Sequence, residues 1–165
     1  MALVLCNLGT LGNLVGASRA LHGLAYVAYK ARDYPRAARL SRETLALRWE
    51  LHDAWGLPSS FEDLADLAGM TGQPLTAARL YGAAEALREA IGVPLPPYHR
   101  PEYERELAVT RAALSTEDFA AARAAGRALP LEQAVVEALA VAVAGAPGTQ
   151  PSEFAIPTAL APCER

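Results

Sequence analysis

Asp33-Tyr34-Pro35-Arg36-Ala37-Ala38-Arg39-Leu40 and Gln73-Pro74-Leu75-Thr76-Ala77-Ala78-Arg79-Leu80 decide how this sequence folds. They lie 40 residues apart and share Ala-Ala-Arg-Leu outright. The same offset extends upstream, where Leu24-Ala25 is matched by Leu64-Ala65. A period of this size accommodates two helices per unit, which predicts an all-α helical solenoid. Alanines at matched places let paired helices approach closely, and bulky residues fill the groove beside them.

Composition agrees. The chain has 165 residues, with 36 alanines and 24 leucines against 9 valines, 8 threonines and 2 isoleucines. Strong helix formers dominate and strand formers are scarce, so a sheet protein is excluded. Prolines punctuate the chain and leave the intervals 36–57, 59–73, 75–93, 102–129 and 131–146 free of them, each a candidate for helix. Ser59 with Glu62 fits a capping box. Ser115 with Asp118 splits the fourth interval into two helices, and Gly92 fits a helix C-cap. The predicted helices cover 18–31, 36–54, 60–71, 75–91, 101–114, 116–128 and 131–144, with the uncharged segment before residue 18 packed on the helix that follows it. The stretch from Gly145, rich in Gly, Pro and Ser, reads as a flexible tail. Trp49 and Trp55 are expected to pack over the Gly56-Leu57-Pro58 corner, and Phe119 to anchor its helix.

At the repeated residues the sequence resembles the tetratricopeptide family. The large residues are Leu21 and Phe61, the Leu-small pairs Leu24-Ala25 and Leu64-Ala65, the turns Arg32-Asp33-Tyr34 and Gly72-Gln73-Pro74, and the small second-helix residues Ala37 and Ala77. The usual first-helix aromatic is Ala28 or Ala68 here, and the period is longer than standard, which suits longer-helix relatives. A narrower resemblance runs from residue 3 to about 145. Ala78 through Glu89, Pro96-Pro97, Tyr103-Glu104-Arg105 and Phe119 through Ala134 resemble the tetratricopeptide-like C-terminal region of bacterial ATPase/LuxR-type (MalT-like) transcriptional regulators. This implies a truncated preceding repeat over 1–17, two helix pairs over 18–92, C-terminal capping helices over 98–145 and a tail over 146–165. Leu160 through Arg165 faintly resemble the start of a LuxR-type DNA-binding domain.

The resemblance also implies a function: a non-catalytic protein-interaction or effector-sensing module of a signalling regulator. A free-standing scaffold adaptor unrelated to transcription is the alternative. In tetratricopeptide units the first helices line a concave groove. Position by position this gives Arg19, His22, Tyr26, Tyr29 and Lys30 in the first unit, and Ser59, Glu62, Asp66 and Met70 in the second. The first set joins aromatics to the only lysine and suits a carboxylate-bearing partner; the second set is acidic and suits a basic one. The expected partner is a protein or peptide segment or a small effector, and an apolar N-terminal segment suggests dimerisation there.

Other chemistries find little support. A net charge of −3, with 14 arginines spread along the chain, argues against direct nucleic-acid binding through bulk electrostatics. Gly9-Thr10-Leu11-Gly12 lacks the lysine of a phosphate loop. His22, His52 and His99 lie too far apart for a metal set, no serine sits in a nucleophile elbow, and Cys6 reads as a small buried apolar residue. Glu62 and Asp66, four residues apart, read as a polar groove. No enzyme activity, cofactor or metal is expected. The lack of a charged n-region and of a strongly apolar span argues against a signal peptide or membrane insertion, and two distant cysteines suit a reducing cytoplasm.

Overall fold

A computed structural model describes residues 2–145, with side chains from residue 12 onward. Among them lie seven helices and no strands: α1 (Ala2–Lys30), α2 (Tyr34–Glu50), α3 (Leu57–Met70), α4 (Pro74–Ile91), α5 (Arg100–Ala112), α6 (Thr116–Arg127) and α7 (Leu131–Leu139). The all-α class is as expected. The tail from 146 onward and Cys163, like the side chain of Cys6, lie outside the described residues.

Four helices open with proline in the first turn: Pro35 in α2, Pro58 in α3, Pro74 in α4 and Pro101 in α5. There the missing N–H costs nothing. Asp33 caps α2 by accepting the Arg36 N–H at 3.3 Å. Ser115 caps α6 by accepting the Asp118 N–H at 3.0 Å. The connections repeat as well. Positive φ occurs at Arg32 (61°) and Gly72 (82°), and again at His52 (52°) and Gly92 (67°). Both pairs are 40 residues apart, so the backbone keeps the period of the sequence.

The main core joins α1 to α4 with α7, and a smaller cluster holds α6 to α4. Ala25, Ala37, Ala65 and Ala77, the repeated small residues, are all buried, as are Phe61, Leu64, Leu80 and Tyr81. α1 packs on α2, α2 on α3, and α3 on α4. α6 then packs on α4 more closely than side chains allow. A Cβ added to Gly82 would lie 2.2 Å from the Arg123 carbonyl oxygen, and one on Gly126 would lie 1.9 Å from that of Arg79. Around this crossing Glu85 and Glu89 pair with Arg123 and Arg127 at 2.6–3.2 Å. α7 returns to α2, α3 and α4, burying Ala134, Val135 and Ala138.

Several expectations are corrected. The segment before residue 18 does not fold onto a following helix; it continues into it as one 29-residue helix. α2 stops at Glu50 rather than 54, because His52 enters the left-handed region. α3 begins at Leu57 with Gly56 at its N-cap, so the Ser59–Glu62 capping box is not used; both side chains reach Arg88 instead. α7 ends at Leu139 rather than 144. The irregular strap after it is held by side chains, with Arg42 donating to the Val141 carbonyl and Gln73 bonding both backbone groups of Ala142. Trp49 packs on the core, but Trp55 is 73% exposed and packs over nothing. Phe119 is buried against Ala78 of α4, with the Arg111 guanidinium 4.9 Å from its ring centre.

Candidate functional site

Six of the nine groove residues predicted from sequence meet at one cavity. His22, Tyr26 and Tyr29 enter from α1, and Ser59, Glu62 and Asp66 from α3, around a space of about 100 Å³. Helical spacing explains the convergence: 22, 26 and 29 share one face of α1, and 59, 62 and 66 share one face of α3. Leu95, His99, Glu102 and Tyr103 close the other side. A larger, more open depression of about 500 Å³ adjoins it, sharing Glu62, Leu95 and Tyr103 and bounded by Arg88, Glu89 and Arg100. The remaining three lie outside the cavity lining. Arg19 is exposed on α1, Met70 is partly exposed at the end of α3, and Lys30 stands at the rim.

His22 Nδ1 lies 2.9 Å from Asp63 Oδ2, and that carboxylate raises the imidazole above its ordinary pKa of 6.5. Glu62 receives two parallel bonds from Arg88, both 2.8 Å. Burial still pushes its carboxyl up, although Arg88 opposes the shift. Asp66 accepts the Tyr81 hydroxyl. Burial raises its pKa well above the usual carboxylate range, and Asp63, Glu106 and Glu62 add to the rise. Burial, with Glu62 and Glu85 nearby, also pushes the Tyr103 hydroxyl up to about 12. Thus Glu62 and Asp66, one turn apart, share the cavity but divide their roles: one pairs with a guanidinium, the other with a phenol.

The acidic partner expected for the first set is supplied by the chain itself. Glu102 of α5 pairs with Lys30 and accepts the Tyr26 hydroxyl at 3.4 Å. Glu106 accepts the Tyr29 hydroxyl at 3.0 Å. Lys30 Nζ also sits 5.2 Å and 5.4 Å from the ring centres of Tyr26 and Tyr29. Sequence reading missed Asp63, Arg88, Tyr81, Glu102, Tyr103 and Glu106. Only the i, i+4 spacing of Glu102 and Glu106 was a local signal; the other partners are brought in by packing across 15 to 41 residues. Among the described residues no cluster of His, Cys, Asp or Glu is placed to hold a metal ion, and no helix is long and apolar enough to cross a membrane.

Comparison with known proteins gives the setting. No family model and no solved structure matches the chain. It is similar to curated proteins named "Putative HTH-type transcriptional regulator" from Mycobacterium tuberculosis (strains CDC 1551 and H37Rv) and Mycobacterium bovis, at 37% identity over 109 residues, 66% of this chain. The matched region spans 12% of the length of those relatives. Their helix-turn-helix designation implies DNA binding, which overturns the expectation, drawn from modest charge alone, that nucleic acid is no partner here. A spread of arginines and a net charge of −3 exclude bulk electrostatic attraction only, not a role in a DNA-binding protein. What the comparison shows is a likeness to transcriptional regulators.

Proposed function

We propose that this chain is a non-catalytic helical-repeat module of a bacterial transcriptional regulator, in which the groove between α1 and α3 receives a protein segment or small effector. The observation that carries the reading is the convergence of six predicted groove residues on one cavity, with charged and hydroxyl groups aimed into it. The 40-residue recurrence of positive-φ turns supports a tetratricopeptide-like arrangement of the helix pairs. The likeness to regulators supports the transcriptional setting. A catalytic role finds no support in the polar pairs, because His22–Asp63 and Arg88–Glu62 are closed on each other rather than on a nucleophile.

Selection of helical peptides from a display library on the purified chain tests the reading. Ligands selected on the wild type are expected to lose at least tenfold in affinity for the Tyr26→Ala, Lys30→Glu double variant. Equal binding by a variant with unchanged circular dichroism would remove this face from consideration.

A further inference from the structure

α5 lies on the groove through a stripe that mixes carboxylates with apolar residues. Its inward residues are Glu102, Tyr103, Glu106, Leu107 and Thr110, of which only Thr110 is fully buried. Thr110 sits over Gly69 of α3, where an added Cβ would come within 2.9 Å of its hydroxyl, so the C-terminal end of the helix is seated. The N-terminal half is held by Glu102 on Lys30 and Tyr26, Glu106 on Tyr29, and the half-buried Tyr103, whose edge meets Tyr81, while Leu107 behind it packs on the core. Partly exposed ion pairs of this kind contribute little. The helix has 13 residues, and isolated helices of that length are marginal in water. Pro94, Pro96 and Pro97 lie in the connection that precedes it, between Gly92 and Arg100.

The receiving patch is built on one face of α1 alone. Tyr26, Tyr29 and Lys30 stand at i, i+3 and i+4 on α1, and the ammonium is positioned by the two rings. Lys30 is the only lysine of the chain. Glu102 and Glu106 present two carboxylates one helical turn apart, matched to that patch.

We propose that α5 is a displaceable occupant held in cis, and that the Tyr26–Tyr29–Lys30 patch docks an acidic helical segment of a partner protein carrying two carboxylates one turn apart. This rests on the interaction-module reading and gives it a partner chemistry. The partner segment takes the place of the N-terminal half of α5, which swings out on the proline-containing connection while Thr110 keeps its seat. Because a tethered competitor acts at an effective concentration on the order of millimolar, binding in trans is weak until α5 is released.

The test uses the full chain and a synthetic capped peptide of its own residues 100–112. The Glu102→Lys, Glu106→Lys chain, which repels Lys30, is expected to bind that peptide at least tenfold more tightly than the wild type does. Adding Lys30→Glu to the released chain should abolish the gain, as should replacing Glu102 and Glu106 of the peptide by glutamine while Glu104 is kept. The Glu102→Gln, Glu106→Gln chain repeats the measurement should the lysine variant fail to fold. Binding to neither chain, or equal binding to both, overturns the proposal. So does a gain that survives loss of the Glu102 and Glu106 carboxylates of the peptide. If non-acidic library peptides still require Tyr26 while the acidic peptide never binds, the cis-occupant proposal falls and the module reading stands; if no ligand responds to the groove variants, both fall.

Discussion

α5 and α6 follow one another in the chain and are fastened to the molecule in opposite ways. α6 meets α4 backbone to backbone, at Gly82 and Gly126, with no room for a methyl group on either side. α5 meets α1 through the tips of long side chains: two carboxylates, two phenols and one ammonium. The first contact is steric and short-ranged at its centre, with partly exposed ion pairs only around its edge. The second is electrostatic, screened by salt and replaceable by any group of the same charge. One scaffold thus contains a fixed joint beside an exchangeable one.

The contrast can be broken first at the fixed joint. Gly126→Ala should cost about 3 kcal/mol or more in chemical denaturation, because the new methyl meets backbone that cannot turn aside. A loss under about 1 kcal/mol would mean that α4 and α6 separate readily. Next, Arg88→Met should cost about 3 kcal/mol, since it strands Glu62 in a pair whose side chains are only 10% and 15% exposed. Asp66→Asn should act in the opposite direction. The Asp66 pKa is raised in the folded state, so the wild-type acid loses stability as pH climbs above its ordinary value of 3.8. The asparagine variant should therefore melt higher at about pH 7, and the gain should vanish towards about pH 4. A gain independent of pH would contradict this account.

His22→Gln sharpens the comparison more finely. The imidazole pKa is raised above 6.5 by Asp63, so the pair stabilises fully below that value and fades as pH rises through the folded pKa. The deficit of the variant should be largest near about pH 6 and shrink by about pH 8, as read by thermal melts. Smallest of all, Glu102→Gln should lower stability by less than about 1 kcal/mol, with the difference erased in about 1 M salt. A larger, salt-resistant loss would make α5 as fixed as α6.

How much of this was legible in the sequence depends on the range of the interaction. Proline at the first turn, Ser115 at a cap and Gly92 at a C-cap act within four residues, and they mark helices where the structure has them. The alanine register was legible because it repeats. Gly82 and Gly126 carried no such mark: each stands in an alanine-rich run, and only the crossing of α4 and α6 shows why a methyl is forbidden. The Ser59–Glu62 box failed because Arg88, 26 residues away, offers Glu62 a charged partner that a backbone N–H cannot match. α7 ended early for a similar reason, since Gln73 and Arg42 supply tertiary bonds to Val141 and Ala142. The groove residues were legible as a face, but what covers that face was not. Tyr26 and Glu102 are 76 residues apart.

The returning strap after α7 has a consequence for the order of assembly. In a simple stack of repeats each unit touches its neighbours, so folding can begin at one end and spread. Here Val141 and Ala142 bond to α2 and to the turn before α4, and Gly145 lies against Pro35, at the start of α2. The first helix pair therefore acquires its last contacts from residues made about a hundred positions later. On the ribosome, α1 and α2 would emerge early and wait, with their native packing complete only once the strap is out of the exit tunnel. Contacts of such separation also slow folding relative to a purely local helical array.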